Sequence, residues 1–125
     1  MRGLSLFFAA LADENRLRLL YLMKEGEICV CYLQGVLQTN QPKISRHLAY
    51  LKRAGLVEAR RDGKWMHYRL KNMERSQQKV LSETLRRLEM ESAIQKDTQR
   101  LRQIQCRPSR YGISSVEPKR EECRI

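Results

Sequence analysis

Cys29 and Cys31, one residue apart, are the side chains of this chain best suited to chemistry. A thiolate is both a soft ligand and a nucleophile, so a close pair could hold a soft metal or metalloid, or undergo redox exchange. The spacing restricts how. Residues two apart on an α-helix point about 200° away from each other, whereas in an extended segment they share a face. The pair can converge on one small ion only where the backbone is extended or distorted. The alternative is that, beside Val30, they are small apolar core fillers. About a dozen residues later lies a different chemistry: Gln41, Lys43, Ser45, Arg46, His47 and Lys52, side chains that bind phosphates and base edges. A chemical event at the thiols could change the geometry of this second group.

The elements that must position them can be read from the pattern. Leu4 to Ala12 is apolar nearly all round and reads as a helix buried between elements or between subunits. Its start could pass for a secretory leader, but at about twelve residues it is below the usual 15–30. Asp13 is an N-cap candidate for the next helix, and Gly26 supplies its stop. Glu27 to Val30 is expected to be briefly extended. Leu33, Val36 and Leu37 mark a short helix, and Thr39-Asn40-Gln41-Pro42 a turn in which Asn40 caps a second one. Ile44, Leu48 and Leu51 form the buried stripe of that second helix, which Gly55 ends. Residues 57–70 change to period two around Asp62-Gly63, the signature of a hairpin. A helix-turn-helix leading into a basic hairpin is a winged helix, mostly α with a small β-hairpin.

After Asn72 a polar stretch without Gly or Pro runs to Pro108, carrying Val80, Leu81, Leu85 and Leu88, then Ile94, Leu101 and Ile104 at helical spacing. One helix of ~30 residues would be ~45 Å long, too long to pack on so small a domain, and a second copy would bury its stripe. We divide the chain into a winged-helix and dimerisation domain over 1–105 and a flexible tail over 106–125.

The 125 residues suffice for one core, and 42% hydrophobic with 31% charged residues makes the chain globular. A net charge of +11 favours polyanions, nucleic acid first and an anionic membrane surface second. Gln41 to Arg75 alone holds ten basic and three acidic residues. Four cysteines, at 29, 31, 106 and 123, do not make a secreted disulfide framework, so reduced thiols in a cytoplasm are expected. No apolar run is long enough to cross a bilayer. There is no Gly-rich phosphate loop, nucleophile elbow or metalloprotease pattern, so no enzyme and no organic cofactor are expected.

LADENRLRLLYLM, EICVCYL and QPKISRHLAYLKRAGLVEARRDGKWMHYRL together resemble the ArsR family of bacterial metal-responsive repressors, and within it the arsenic(III)/antimony(III) sensors. The resemblance covers about residues 4–72. It implies a homodimer, built through its first and last helices, that sits on a palindromic operator and leaves when metal binds. One position departs: such sensors usually carry a third cysteine three residues after the second, and here it is Gln34. The expected effector is trivalent arsenic or antimony at Cys29 and Cys31, its third ligand coming from Cys106, Cys123, an oxygen ligand or a small thiol. A two-thiol site would also suit a monomethylated arsenic(III), which has two exchangeable positions.

On the operator, an imperfect palindrome of double-stranded DNA, Ser45 and Arg46 are expected to reach base edges. Gln41, Lys43 and Lys52 would hold phosphates, and Arg60, Arg61 and Lys64 would lie over the backbone or minor groove. His47 could reach DNA or be a half-buried hydrogen-bonding residue. The rival readings are a thiol-redox or other soft-metal repressor of the same fold, and an unregulated architectural DNA-binding protein.

Overall fold

A computed structural model describes residues 1–106, as six helices and a three-stranded sheet. Helix α1 (Arg2–Leu11) buries Phe7 and Ala10 and leaves Leu4 and Phe8 about half exposed, at 46% and 49%. Helix α2 (Glu14–Leu22) begins where Asp13 accepts the backbone N–H of Arg16 at 3.0 Å, the cap expected of it. Its exit passes through Gly26, whose φ of +136° an L side chain rarely adopts.

The chain then forms a two-residue strand, β1 (Ile28–Cys29), and turns at once into α3 (Val30–Leu37). Tyr32, Leu33, Val36 and Leu37 are buried along it. Gln38 takes the left-handed conformation at its end, with φ 52° and ψ 41°. Helix α4 (Gln41–Arg53) comes next, Asn40 accepting the Lys43 N–H at 3.0 Å, with Ile44, Leu48 and Leu51 at 0–1% exposure. Its end is a Schellman motif. Gly55 (φ +80°) donates to Lys52 at 3.1 Å, Leu56 donates to Leu51 at 3.0 Å, and both leucines are fully buried.

Strands β2 (Val57–Asp62) and β3 (Trp65–Leu70) form the expected hairpin, with two refinements. Asp62 pairs with Trp65, so the turn is Gly63–Lys64, and Gly63 at φ +61° is its first central residue, not its second. The hairpin also gains a third strand: β1 pairs antiparallel with β3, Ile28 opposite Tyr68 and Cys29 opposite His67, giving the order β1-β3-β2.

The single long helix expected after Asn72 is two helices. Helix α5 (Arg75–Leu88) ends at Glu89–Glu91, and α6 (Ser92–Cys106) folds back onto α3 and α2 of the same chain. Ile94 and Ile104 are buried by this return, so one chain covers the α6 part of the stripe that was expected to need a second copy. A side chain at Gly35 would place its Cβ 3.0 Å from Ile104 Cδ1, which ties the absence of one there to the closeness of α3 and α6. Buried Asp97 accepts both Nε (2.7 Å) and Nη2 (2.8 Å) of Arg18 on α2. Cys106, assigned from sequence to the tail, is the last residue of α6; the rest of that tail, Cys123 included, lies outside the described residues.

The Arg18–Asp97 pair is what the return of α6 depends on electrostatically. Asp97→Asn keeps the volume and removes the charge, so it should lower stability in urea unfolding by about 2 kcal/mol, moderated by the 26% exposure of the Arg18 side chain. Amide exchange should quicken over residues 92–106 before the rest of the fold. An unchanged midpoint and exchange pattern would show that apolar contacts alone hold α6.

Candidate thiol centre and nucleic-acid interface

The backbone geometry around Val30 resolves the spacing problem of the thiols. Cys29 is extended (φ −68°, ψ 140°) and is the N-cap of α3, whereas Cys31 is already helical. At a strand-to-helix junction the 200° divergence of a regular helix does not apply, and Cys31 Sγ donates to Cys29 Sγ across 2.7 Å. Both thiols are free; Cys29 is buried and Cys31 half-buried.

The hydrogen bond shares one proton unequally. As acceptor, Cys29 has its pKa lowered to about 6, chiefly by the Cys31 thiol, against the cost of burial and with help from His67 across the sheet. Cys31, the donor, is pushed up by the same bond and by burial. Tyr32 next door is raised to about 12 by burial. At neutral pH the pair is therefore a thiolate beside a thiol.

The strand that carries Cys29 is tied to the wing by more than its ladder. Glu27, two residues earlier and on the same face, accepts Nε of Arg60 at 3.1 Å and Nη2 at 2.5 Å, and its carboxylate lies 3.9 Å from His67 Nδ1. Arg60 holds that carboxylate below its usual range. Sequence reasoning missed Glu27 and His67. The period-two pattern over 65–69 held the signal for His67 alone, and the pairing of β1 with β3 was needed to bring Glu27 to it.

Sequence reasoning put Cys106 forward as a third ligand. The structure places it half-buried at the C-terminal end of α6, where it is engaged in an interaction of its own. Among the described residues no cluster of three His, Cys, Asp or Glu side chains is assembled.

On α4, Gln41, Lys43, Ser45, Arg46 and Lys52 are all exposed. At 100° per residue Arg46 lies opposite the stripe of Ile44, Leu48 and Leu51. His47 is half-buried on the flank of the helix, its Nδ1 3.5 Å from Arg16 Nη1 and 3.9 Å from Asp13 Oδ1. The wing residues Arg60, Arg61 and Lys64 are exposed. Arg60 is paired with Glu27, Arg61 Nε donates to Gly63 O at 3.2 Å, and Lys64 Nζ lies 5.5 Å from the Trp65 ring centre. Helix α4 packs against β2, which sets the helix beside the wing.

Residues 13–59, from the α2 cap through α4 into β2, match the family model described as bacterial regulatory protein, arsR family. A solution structure from Mycobacterium bovis, a homodimeric winged helix-turn-helix DNA-binding domain described as a possible ArsR-family regulator, superposes with a TM-score of 0.60 at 30% identity, over 72% of this chain and 83% of that one. The chain belongs to the ArsR family. The arsenical resistance operon repressor of Escherichia coli is 56% identical over 64 residues, 50% of this chain and 55% of the relative. The cadmium resistance regulator CadC of Listeria innocua is 40% identical over 68 residues, 54% of this chain and 57% of the relative. The chain thus spans little more than half the length of these curated relatives. Relatives and fold neighbours alike are transcriptional regulators, not enzymes. Within the described residues no helix is long and apolar enough to cross a membrane.

The shared proton gives a pH dependence with a definite sign. Iodoacetamide should alkylate Cys29 with a midpoint near pH 6, far ahead of Cys31, as read by peptide mass spectrometry. Between about pH 6 and the ordinary thiol range near 8.5, the unfolded chain binds the extra proton. The pair's contribution to stability should therefore rise with pH over that window and fall again above it, where the folded chain alone retains the Cys31 proton. Replacing Cys31 with Val removes the donor and should return the Cys29 midpoint toward the ordinary value. A Cys29 midpoint unmoved by that change would show that the thiols do not share a proton.

Proposed function

We propose that this protein is a transcriptional repressor that binds operator DNA as a homodimer and is released when trivalent arsenic or antimony bonds to Cys29 and Cys31. The observation that carries the reading is the 2.7 Å approach of the two sulfurs on a strand hydrogen-bonded to the wing. With metal–thiolate bonds of about 2.3 Å, a linear two-coordinate ion would need its sulfurs ~4.6 Å apart, a tetrahedral one ~3.8 Å, and one with a near-right-angled bond pair ~3.3 Å. The observed separation is nearest the last, the pyramidal arrangement that trivalent arsenic takes. The thiolate and the thiol displace two hydroxyl groups of arsenous acid: two S–As bonds form, two As–O bonds break, and two waters leave, one with the Cys31 proton and the other with a proton taken from solvent. A monomethylated arsenic(III) undergoes the same two exchanges and leaves no position open, which suits a site whose next-turn residue is Gln34.

The family resemblance and the exposed row Gln41, Lys43, Ser45, Arg46 and Lys52 support DNA as the partner, Ser45 and Arg46 reading base edges and the others phosphates. Arg60, Arg61 and Lys64 follow the backbone from the wing. The face for a second copy is the exposed Leu4 and Phe8 of α1 with half-buried Val80 and Leu88 of α5, since α6 is already packed on its own α2 and α3. Residues 1–106 form the DNA-binding and dimerisation domain, and the cytoplasm is where reduced thiols and DNA coexist.

Effector acts on DNA affinity only through a difference in its own affinity for the free and bound proteins. Widening the sulfur pair from 2.7 Å moves either the first turn of α3 or the β1–β3 ladder, and both lead to the DNA face. Fluorescence anisotropy of the reduced protein on its promoter fragment, titrated with arsenite, methylarsenite, zinc or cadmium, is the direct test. Trivalent arsenic should weaken DNA binding at least tenfold, Cys29→Ser and Cys31→Ser should each abolish that response, and Lys43→Ala should lower the salt slope by about two, one for each copy in the dimer. Release by zinc or cadmium with no response to arsenic would replace the effector, and release by peroxide alone would favour the redox reading.

A further inference from the structure

Arg16 is a charged residue with only 14% of its side chain exposed, and every part of its guanidinium is used. Nε donates to Ala10 O at 2.9 Å and Nη2 to Ala9 O at 3.1 Å, two carbonyls of the last turn of α1, where Ala9 O also accepts the cap N–H of Ala12 at 3.2 Å. Nη1 lies 3.5 Å from His47 Nδ1 and 4.0 Å from Asp13 Oδ2. The face of the group stacks on Tyr50, Cζ standing 4.2 Å from the ring centre, and Arg53 approaches the same ring at 5.4 Å. His47 and Tyr50 both belong to α4, on the flank between its buried stripe and its exposed face. One planar cation therefore joins the C-terminal end of α1 to the side of α4.

We infer that Arg16 is the positioning residue that fixes the recognition helix relative to α1, and so sets the half-site spacing at which a dimer reads its operator. The inference rests on the repressor reading. Helix α1 carries Leu4 and Phe8 outward, the face offered to a second copy, and the carbonyls that Arg16 binds lie on the next turns of that helix. The distance from dimer face to DNA-reading face thus passes through this guanidinium. In a two-fold assembly any shift of α4 in one copy is repeated in the other, so an error at Arg16 is doubled at the operator, where spacing is a geometric requirement. Lysine cannot replace it: an ammonium has no fork to span two carbonyls and no flat face to lay on Tyr50.

The test uses the full reduced chain with three duplexes at matched salt: the native palindrome, the same half-sites with one base pair inserted at the centre, and a scrambled sequence. Arg16→Lys should bind the scrambled duplex within about twofold of wild type, lose at least tenfold on the native palindrome, and lose at least fivefold of the preference for native over inserted spacing. Tyr50→Leu, which removes the stacking partner while keeping Arg16, should shift the same ratios in the same direction; it covers the case in which the Arg16 variant does not fold. Equal losses on native and inserted duplexes, or wild-type ratios in both variants, overturn the inference. A wild-type protein without preference for the palindrome over the scrambled duplex overturns the repressor reading, and this inference with it.

Discussion

The antiparallel pairing of Ile28 and Cys29 with Tyr68 and His67 is the constraint on which the arrangement of both surfaces depends. A strand of two residues has little stability of its own. It is held by its surroundings: Ile28 and Cys29 at 6% and 3% exposure, the Glu27–Arg60 ion pair at its start, and the immediate onset of α3 after it. The exposed ion pair contributes little by itself, and the burial of apolar surface contributes more. Because β1 is in the ladder, Cys29 stays extended while Cys31 is helical, and that combination brings residues two apart together. Were residues 29–31 continuous helix, the thiols would diverge and the site would not exist.

The recognition helix is anchored in two chemically different ways. Its apolar stripe fixes depth, since Ile44, Leu48 and Leu51 have no room to withdraw from the core. A stripe of three residues tolerates some rotation about the helix axis, and direction is what base reading requires. Arg16 constrains that rotation through Tyr50 and His47, while the Schellman turn at Gly55–Leu56 fixes where the helix stops and β2 begins. Burying a guanidinium costs desolvation unless its donors are met. Here two carbonyls accept from it, Nη1 lies 3.5 Å from His47 Nδ1 and 4.0 Å from the Asp13 carboxylate, and the Tyr50 ring covers its face.

Much of this was legible in the chain. The Asp13 and Asn40 caps, the stop at Gly55, the Ile44/Leu48/Leu51 stripe and the hairpin all rest on contacts within a few residues, which spacing reports directly. The long-range pairings could not be read. Nothing local says that Glu27–Cys29 joins the sheet, because a strand of two residues leaves no periodicity to detect. The stripe continuing from Leu88 through Ile94 to Ile104 is the same for one helix as for two; the break at Glu89–Glu91 contains neither Gly nor Pro, and α6 returns because α3 offers Gly35 and α2 offers Arg18 to Asp97. Arg16 reads in sequence as one more basic residue, and its role exists only once α1 and α4 are side by side.

Two routes lead from the sulfurs to the DNA face, and they differ in stiffness. One runs along α3 to its end at Gln38, a non-glycine residue in the left-handed region, and then into α4. Such a conformation costs of the order of 1 kcal/mol or more, so this joint already stores strain that a small displacement of α3 could relieve. The other passes from Cys29 directly across to His67, whose opposite neighbour in the sheet is Arg60. It has no intervening hinge, and at its far side the Arg60 guanidinium is held by Glu27 of the starting strand. A displacement of β1 therefore reaches the wing through both backbone and side chain, while α4 remains clamped by Arg16. On the proposed reading, in which effector widens the thiol pair, the wing is therefore the element that would move first, and the recognition helix is the part of the surface that Arg16 holds still.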